Sequence, residues 1–87
     1  MTKHITYTTR GVCSRQIDID IDTETNVILN VKFTGGCNGN TQGVARLVEG
    51  MNVHEAIRRL KGIRCGYKDT SCPDQLARAL EKAIAQG

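Results

Sequence analysis

Four cysteines, Cys13, Cys37, Cys65 and Cys72, are the residues of this 87-residue chain best suited to chemistry. As thiolates they ligate zinc or iron, and in pairs they cycle between dithiol and disulfide. The stretch SCPDQLARAL, residues 71–80, places one of them: a cysteine and the chain's single proline stand directly ahead of an amphipathic run. Proline suits the first turn of a helix because its missing N–H removes no bond there, so Ser71 or Cys72 falls at or near the N-cap. Cys72 then faces free N–H groups at the positive end of a helix dipole, which favours the metal-binding thiolate.

The spacing alone is not that of a two-knuckle zinc ribbon, since no CxxC pair occurs and six residues separate Cys65 from Cys72. The neighbourhood is more telling. Gly11, Gly35, Gly36, Gly39, Gly62 and Gly66 flank three of the cysteines and let backbone N–H groups approach sulfur. Four thiolates around a divalent ion leave a net charge of about −2, which calls for helix dipoles and cations. The charges beside the cysteines are basic: Arg10, Arg15, Arg64 and Lys68. Cysteines that served as small core hydrophobes would fall on apolar stripes, and the periodicity of the chain puts none of them there. The four sulfurs are therefore expected to gather in one site, with metal–sulfur distances of about 2.3 Å if the ion is tetrahedral zinc.

The elements that must position them follow from the apolar periods. Ile5 and Tyr7 alternate with polar neighbours over residues 3–9. In QIDIDID, Ile17, Ile19 and Ile21 point one way and Asp18, Asp20 and Asp22 the other, a half-buried strand with a solvated acidic face; strict alternation without a central glycine argues against a calcium loop. After the polar turn TETN, Val27, Leu29, Val31 and Phe33 recur at period two, so residues 16–33 read as a hairpin that Gly35 and Gly36 end just before Cys37. Asn38, Asn40 and Thr41 are candidate N-caps for a helix turning Val44, Leu47, Val48 and Met51 inward. Gly50 closes it. Asn52, with Glu55 three residues on, starts a second helix with Val53, Ala56, Ile57 and Leu60 on its apolar face and His54 off it. Beyond Gly62 and a loop, a third helix runs from about Pro73 with Leu76, Leu80, Ala83 and Ile84 on one face. The fold expected is α+β: one domain over residues 1–87, with a three-stranded antiparallel sheet followed by three helices packed on one face. Every cysteine falls at a break between elements.

Composition narrows the class. A domain this small buries a thin core, and with no tryptophan, two tyrosines and one phenylalanine a metal staple would supplement it. The amino terminus MTKHITYTTR has no apolar signal core, and no run approaches the length of a membrane span, so the chain reads as soluble and cytoplasmic. A reducing compartment favours metal ligands or redox thiols over structural disulfides. The net charge of +3 comes largely from Arg46, Arg58, Arg59, Lys61, Arg64 and Lys68, which read as solvated helix faces; without stacking aromatics they argue against nucleic acid. No Ser-His-Asp set, phosphate loop or catalytic carboxylate pair can be assembled, so an enzyme in its own right is not indicated.

Two resemblances rest on these residues. TSCPD at 70–74, with GGCNGN around Cys37 and the glycine-flanked Cys65, resembles the TSCPD domain family, over nearly the whole chain. That family occurs as small proteins and as the carboxy-terminal part of adenosylcobalamin-dependent ribonucleotide reductases, so the resemblance implies a link to deoxyribonucleotide synthesis; a chain of this length has no room for the reductase barrel. The second is architectural: residues 11–85 are similar to the IscU and NifU-type iron–sulfur scaffold, with Cys13, Cys37 and Cys72 matching its three cysteines. Arg15 stands where that scaffold has an aspartate, Ser71 where it has a histidine, and its chaperone signal is absent around Gly62 to Arg64. Cys65 is additional, and the resemblance leaves open for it the place of a lost ligand.

Three functions are compatible with these residues. A four-cysteine accessory domain holding zinc or an iron–sulfur cluster uses every cysteine and gives a thin core a staple. A redox partner of ribonucleoside-diphosphate reductase would cycle Cys65 and Cys72. A cluster-assembly scaffold is the third, weakened by Arg15 and the missing chaperone signal. The partners implied are a ribonucleotide reductase, iron–sulfur proteins or a second copy of the chain.

Overall fold

Three strands come first and three helices follow: β1 (Thr2–Thr8), β2 (Ser14–Asp22), β3 (Val27–Gly35), α1 (Asn38–Val48), α2 (Val53–Leu60) and α3 (Cys72–Ala85). This computed structural model describes residues 1–12, 14–35, 38–64 and 66–85, apart from the side chain of Asn38. The strands form one antiparallel sheet in the order β1-β2-β3, as the α+β reading expects.

Alternation makes β2 the central strand. Ile17, Ile19 and Ile21 are buried, with Tyr7 and Phe33 flanking Ile17 and Ile5 and Val31 flanking Ile19 across the ladders. These apolar cross-strand pairs face the helices. On the opposite face Asp18 and Asp20 stand beside Thr6 and His4: the Thr6 hydroxyl donates to Asp18 at 2.7 Å, and His4 Nδ1 lies 2.7 Å from Asp20 Oδ1. The aspartates thus line a polar outer face.

In β3 the period-two expectation fails at one place. Asp20 pairs with Asn30 but Ile21 pairs with Ile28, so Leu29 is an extra residue opposite the junction. A bulge of one residue reverses which face the following side chains take. Ile28 is accordingly buried, and Leu29, expected inward, is 47% exposed.

The helices close the core over the isoleucine face. From α3 come Leu76, Ala79, Leu80 and Ala83, and from α2 Val53 and Ala56, with Ile57, Leu60 and Ile84 partly buried against them. Asn52 caps α2, its side chain accepting the His54 N–H at 2.9 Å, while Glu55 pairs with Arg58 and Arg59 and does not complete a capping box. In α1 the inward arc is Thr41, Ala45 and Val48. Leu47, expected inward, is 77% exposed. One residue before Val48, it lies about 100° around the helix from that arc's edge.

Candidate functional site

The head of α3 is built from the TSCPD residues, each with a distinct bonding role. Ser71 is the N-cap: its carbonyl accepts the Gln75 N–H at 2.8 Å and its hydroxyl accepts the Asp74 N–H at 3.1 Å. Cys72 is the first helical residue and Pro73 the second, where the absent N–H leaves no bond broken. The helix thus starts one residue earlier than expected, and its apolar stripe gains a turn. Cys72, Leu76, Ala79, Leu80 and Ala83 are in phase and all buried, with Cys72 only 6% exposed. This corrects the expectation that no cysteine lies on an apolar stripe. The Cys72 sulfur nonetheless meets a polar atom, lying 3.3 Å from Ser14 Oγ at the start of β2.

Around this helix head the connections between elements are held by buried polar side chains. The Thr70 hydroxyl donates to Asp74 Oδ2 and accepts from Gln75 Nε2 at 2.9 Å, and Gln75 Oε1 accepts the Arg10 N–H at 3.1 Å. Gly11, at φ +71°, packs so closely here that a Cβ on it would come 3.2 Å from the Thr70 methyl. The Thr9 hydroxyl donates to the Ser14 carbonyl. Ser14 is in turn the ladder partner of Gly35. Gly35 has φ +80°, and a Cβ there would lie 3.4 Å from Arg15 Nε, so the exposed Arg15 side chain lies against it.

The loop after α2 is tied to the same helix head. The Ser71 hydroxyl donates to the Ile63 carbonyl at 2.7 Å, and the Gly62 N–H donates to Asp74 Oδ1 at 2.7 Å. Asp74 is 1% exposed. Burial opposes its ionisation, but hydrogen bonds from Thr70 and the Gly62 N–H, with the Arg78 guanidinium at 3.0 Å, outweigh it and hold the carboxyl below the ordinary aspartate value.

Of the proposed ligands, Cys72 is in place at a helix N-terminus. Cys13, Cys37 and Cys65 lie outside the described residues. Among the described residues no group of three or more His, Cys, Asp and Glu is arranged to hold a metal ion. His54 is exposed, as expected of a residue off the apolar stripe. What sequence reasoning missed is the polar support: six of the seven buried polar residues described, Thr9, Ser14, Thr70, Ser71, Asp74 and Gln75, belong to this one end of the molecule. The signal available was the run of polar residues on both sides of Cys72 and Pro73, at the start of an otherwise apolar helix face.

An α+β layer whose last helix begins at a buried, hydroxyl-contacted cysteine defines a small cysteine-bearing domain. The family model of the TSCPD domain matches residues 1–84, and the chain belongs to that family. Comparison with curated proteins and with solved structures gave no match. No helix among the described residues is long and apolar enough to cross a membrane.

Proposed function

We propose that this TSCPD domain is a metal-binding accessory domain in which Cys13, Cys37, Cys65 and Cys72 together hold zinc or an iron–sulfur cluster. The supporting observation is that described neighbours of all three other cysteines are tied to the helix head that carries Cys72. Ser14, next to Cys13 in sequence, has its hydroxyl 3.3 Å from the Cys72 sulfur. Gly35, which precedes Cys37 by two residues, pairs with Ser14. Ile63, which precedes Cys65 by two residues, accepts the Ser71 hydroxyl. One or two residues of chain reach about 4–7 Å, enough for convergence on a common ion.

The donor set suits the cofactor. Thiolates are soft ligands that select zinc or cluster iron, and Arg10, Arg15, Arg64 and Lys68 supply compensating charge within three residues of a cysteine. Bound there, zinc would cross-link the strand and helix ends, and a cluster would add the capacity to hold an electron. The likeness to the IscU and NifU scaffold belongs to this reading, as does a cytoplasmic setting in which thiols stay reduced. The family's occurrence with adenosylcobalamin-dependent ribonucleotide reductases makes such a reductase the first partner to test, ahead of iron–sulfur proteins and a second copy of the chain.

Metal and sulfide analysis with a visible spectrum, on protein purified without oxygen, tests the proposal. Colourless protein with stoichiometric zinc, or brown protein with iron and sulfide, supports it and selects the cofactor. Protein that binds neither with all four thiols reduced overturns it. A reversible Cys65–Cys72 disulfide in such protein would favour the dithiol redox partner instead.

A further inference from the structure

Among the described residues Asp74 is the only buried carboxylate, and its bonding exceeds what a helix start requires. Ser71 already caps α3 through its hydroxyl and carbonyl. An acidic residue in the first turn complements the helix dipole without leaving its own helix. Asp74 instead reaches back to the Gly62 N–H, twelve residues upstream, at 2.7 Å. Its second oxygen takes the Thr70 hydroxyl and Arg78 Nε. One carboxylate, two residues from Cys72, thus joins the loop that leads to Cys65, the residue before the N-cap, and the second turn of α3.

From this geometry we infer that Asp74 is a positioning residue for the cysteine site, setting the distance between the Gly62–Arg64 segment and the helix head so that Cys65 and Cys72 act as one pair of ligands. It rests on the four-cysteine reading above, and it assigns a role that reading leaves open. Groups that orient metal ligands from outside the coordination shell typically cost about 10–100-fold in metal affinity when lost. The buried carboxylate is suited to positioning because it is fully partnered, is held by a short side chain, and spans two segments that are distant in sequence.

Two conservative variants separate geometry from charge. Asp74→Asn removes the charge and, because an amide NH2 cannot accept, the bonds from Thr70 and Arg78, but it keeps a carbonyl oxygen at the same reach for the Gly62 N–H, the bond that ties the loop to the helix head. Asp74→Glu keeps the charge but displaces the carboxylate by one methylene, so the bond to Gly62 cannot keep its length with the helix in place. Zinc affinity is measured on the full chain by competition with a chromophoric chelator, together with the cobalt–thiolate absorption bands. A positioning role predicts that Asp74→Glu weakens zinc by about 10-fold or more and alters the cobalt bands, while Asp74→Asn stays close to the wild-type chain. The reverse pattern, equal losses in both, or no loss in either overturns it. If the wild-type chain itself binds no metal, the four-cysteine reading fails separately. Positioning is then read from the alkylation rate of Cys65 relative to Cys72 and from exchange of the Gly62 amide: faster in Asp74→Glu alone supports it, and any other pattern overturns it.

Discussion

Ser14 Oγ lies 3.3 Å from Cys72 Sγ, joining the first residue of β2 to the first residue of α3 across 58 positions of sequence. Both side chains are buried, so the contact replaces water for each. Ser14→Ala removes the hydroxyl and leaves the Thr9 bond intact, because that bond ends on the Ser14 carbonyl. The expected loss is about 0.5–1.5 kcal/mol in metal-free protein, the usual range for one intramolecular hydrogen bond. Denaturant unfolding measures it. Stability equal to or above wild type would show that the sulfur and hydroxyl are merely adjacent.

A metal held by all four cysteines would make the domain's stability depend on it. In a small domain metal affinity is folding free energy. Cys37→Ala, or a chelator strong enough to strip the ion, should lower the unfolding midpoint sharply, by far more than Ser14→Ala does. An unchanged thermal midpoint after metal removal is verified would contradict this and favour the dithiol role.

Packing predicts a contrast between two leucines. Leu80 is 0% exposed within the core, while Leu47 is 77% exposed on α1. Leu80→Ala should cost about 2–5 kcal/mol through lost burial and a residual cavity, a large share of the roughly 5–15 kcal/mol by which domains are stable. Leu47→Ala should stay within about 0.5 kcal/mol. Equal losses, measured by urea unfolding, would refute the placement of α1.

Strand β2 is legible in the sequence because period two and burial coincide in Ile17, Ile19 and Ile21. Leu29 is not, because the bulge opposite Asp20 and Ile21 depends on pairing between strands, which an isolated alternation does not encode. Leu47 fails for a related reason: α1 has four apolar residues near its end, and only its approach to β3 selects the arc containing Ala45. At the site, Pro73 reveals the helix head and Ser71 its cap. The partners of Thr70 and Gln75 do not emerge, since Gln75 meets the Arg10 N–H from 65 positions away.

Acidity acts on the opposite face of the sheet. The hydrogen bond to Asp20, aided by the charges of Asp20 and Asp18, raises the His4 pKa above its ordinary 6.5 despite some opposing desolvation. Asp18 is held below its ordinary 3.8 by hydrogen bonds from Thr6 and Gln16, with smaller help from His4 and Lys32. A raised histidine contributes stability that is complete below its unfolded value and is lost as pH rises through the folded one. A depressed aspartate contributes above its unfolded value and loses that contribution on acidification. The cluster therefore stabilises most between 3.8 and 6.5 and weakens above that window. Unfolding at about pH 6 and about pH 8 should show a decline that His4→Gln reduces. An identical decline in the variant would assign it to other groups.

Arg15 bears on whether a bound cluster is kept or passed on. Its side chain lies against Gly35, which precedes Cys37, and its own neighbour Ser14 contacts Cys72. On the proposed likeness to the IscU and NifU scaffold, Arg15 replaces a carboxylate, an exchangeable oxygen ligand; a guanidinium is always cationic and cannot coordinate. Cys65 meanwhile offers an additional soft donor suited to zinc or cluster iron. On the iron–sulfur branch of the proposal, the native chain should hold its cluster and transfer it slowly to an apo-ferredoxin. The double variant Arg15→Asp, Cys65→Ala, which restores the oxygen and removes the extra thiolate, should transfer faster. The measurement loads both proteins, verifies equal cluster content by absorption, and follows the acceptor's signal over time. Rapid transfer from the native chain would overturn the holder role, whereas acceleration confined to the variant would locate that role in Arg15 and Cys65.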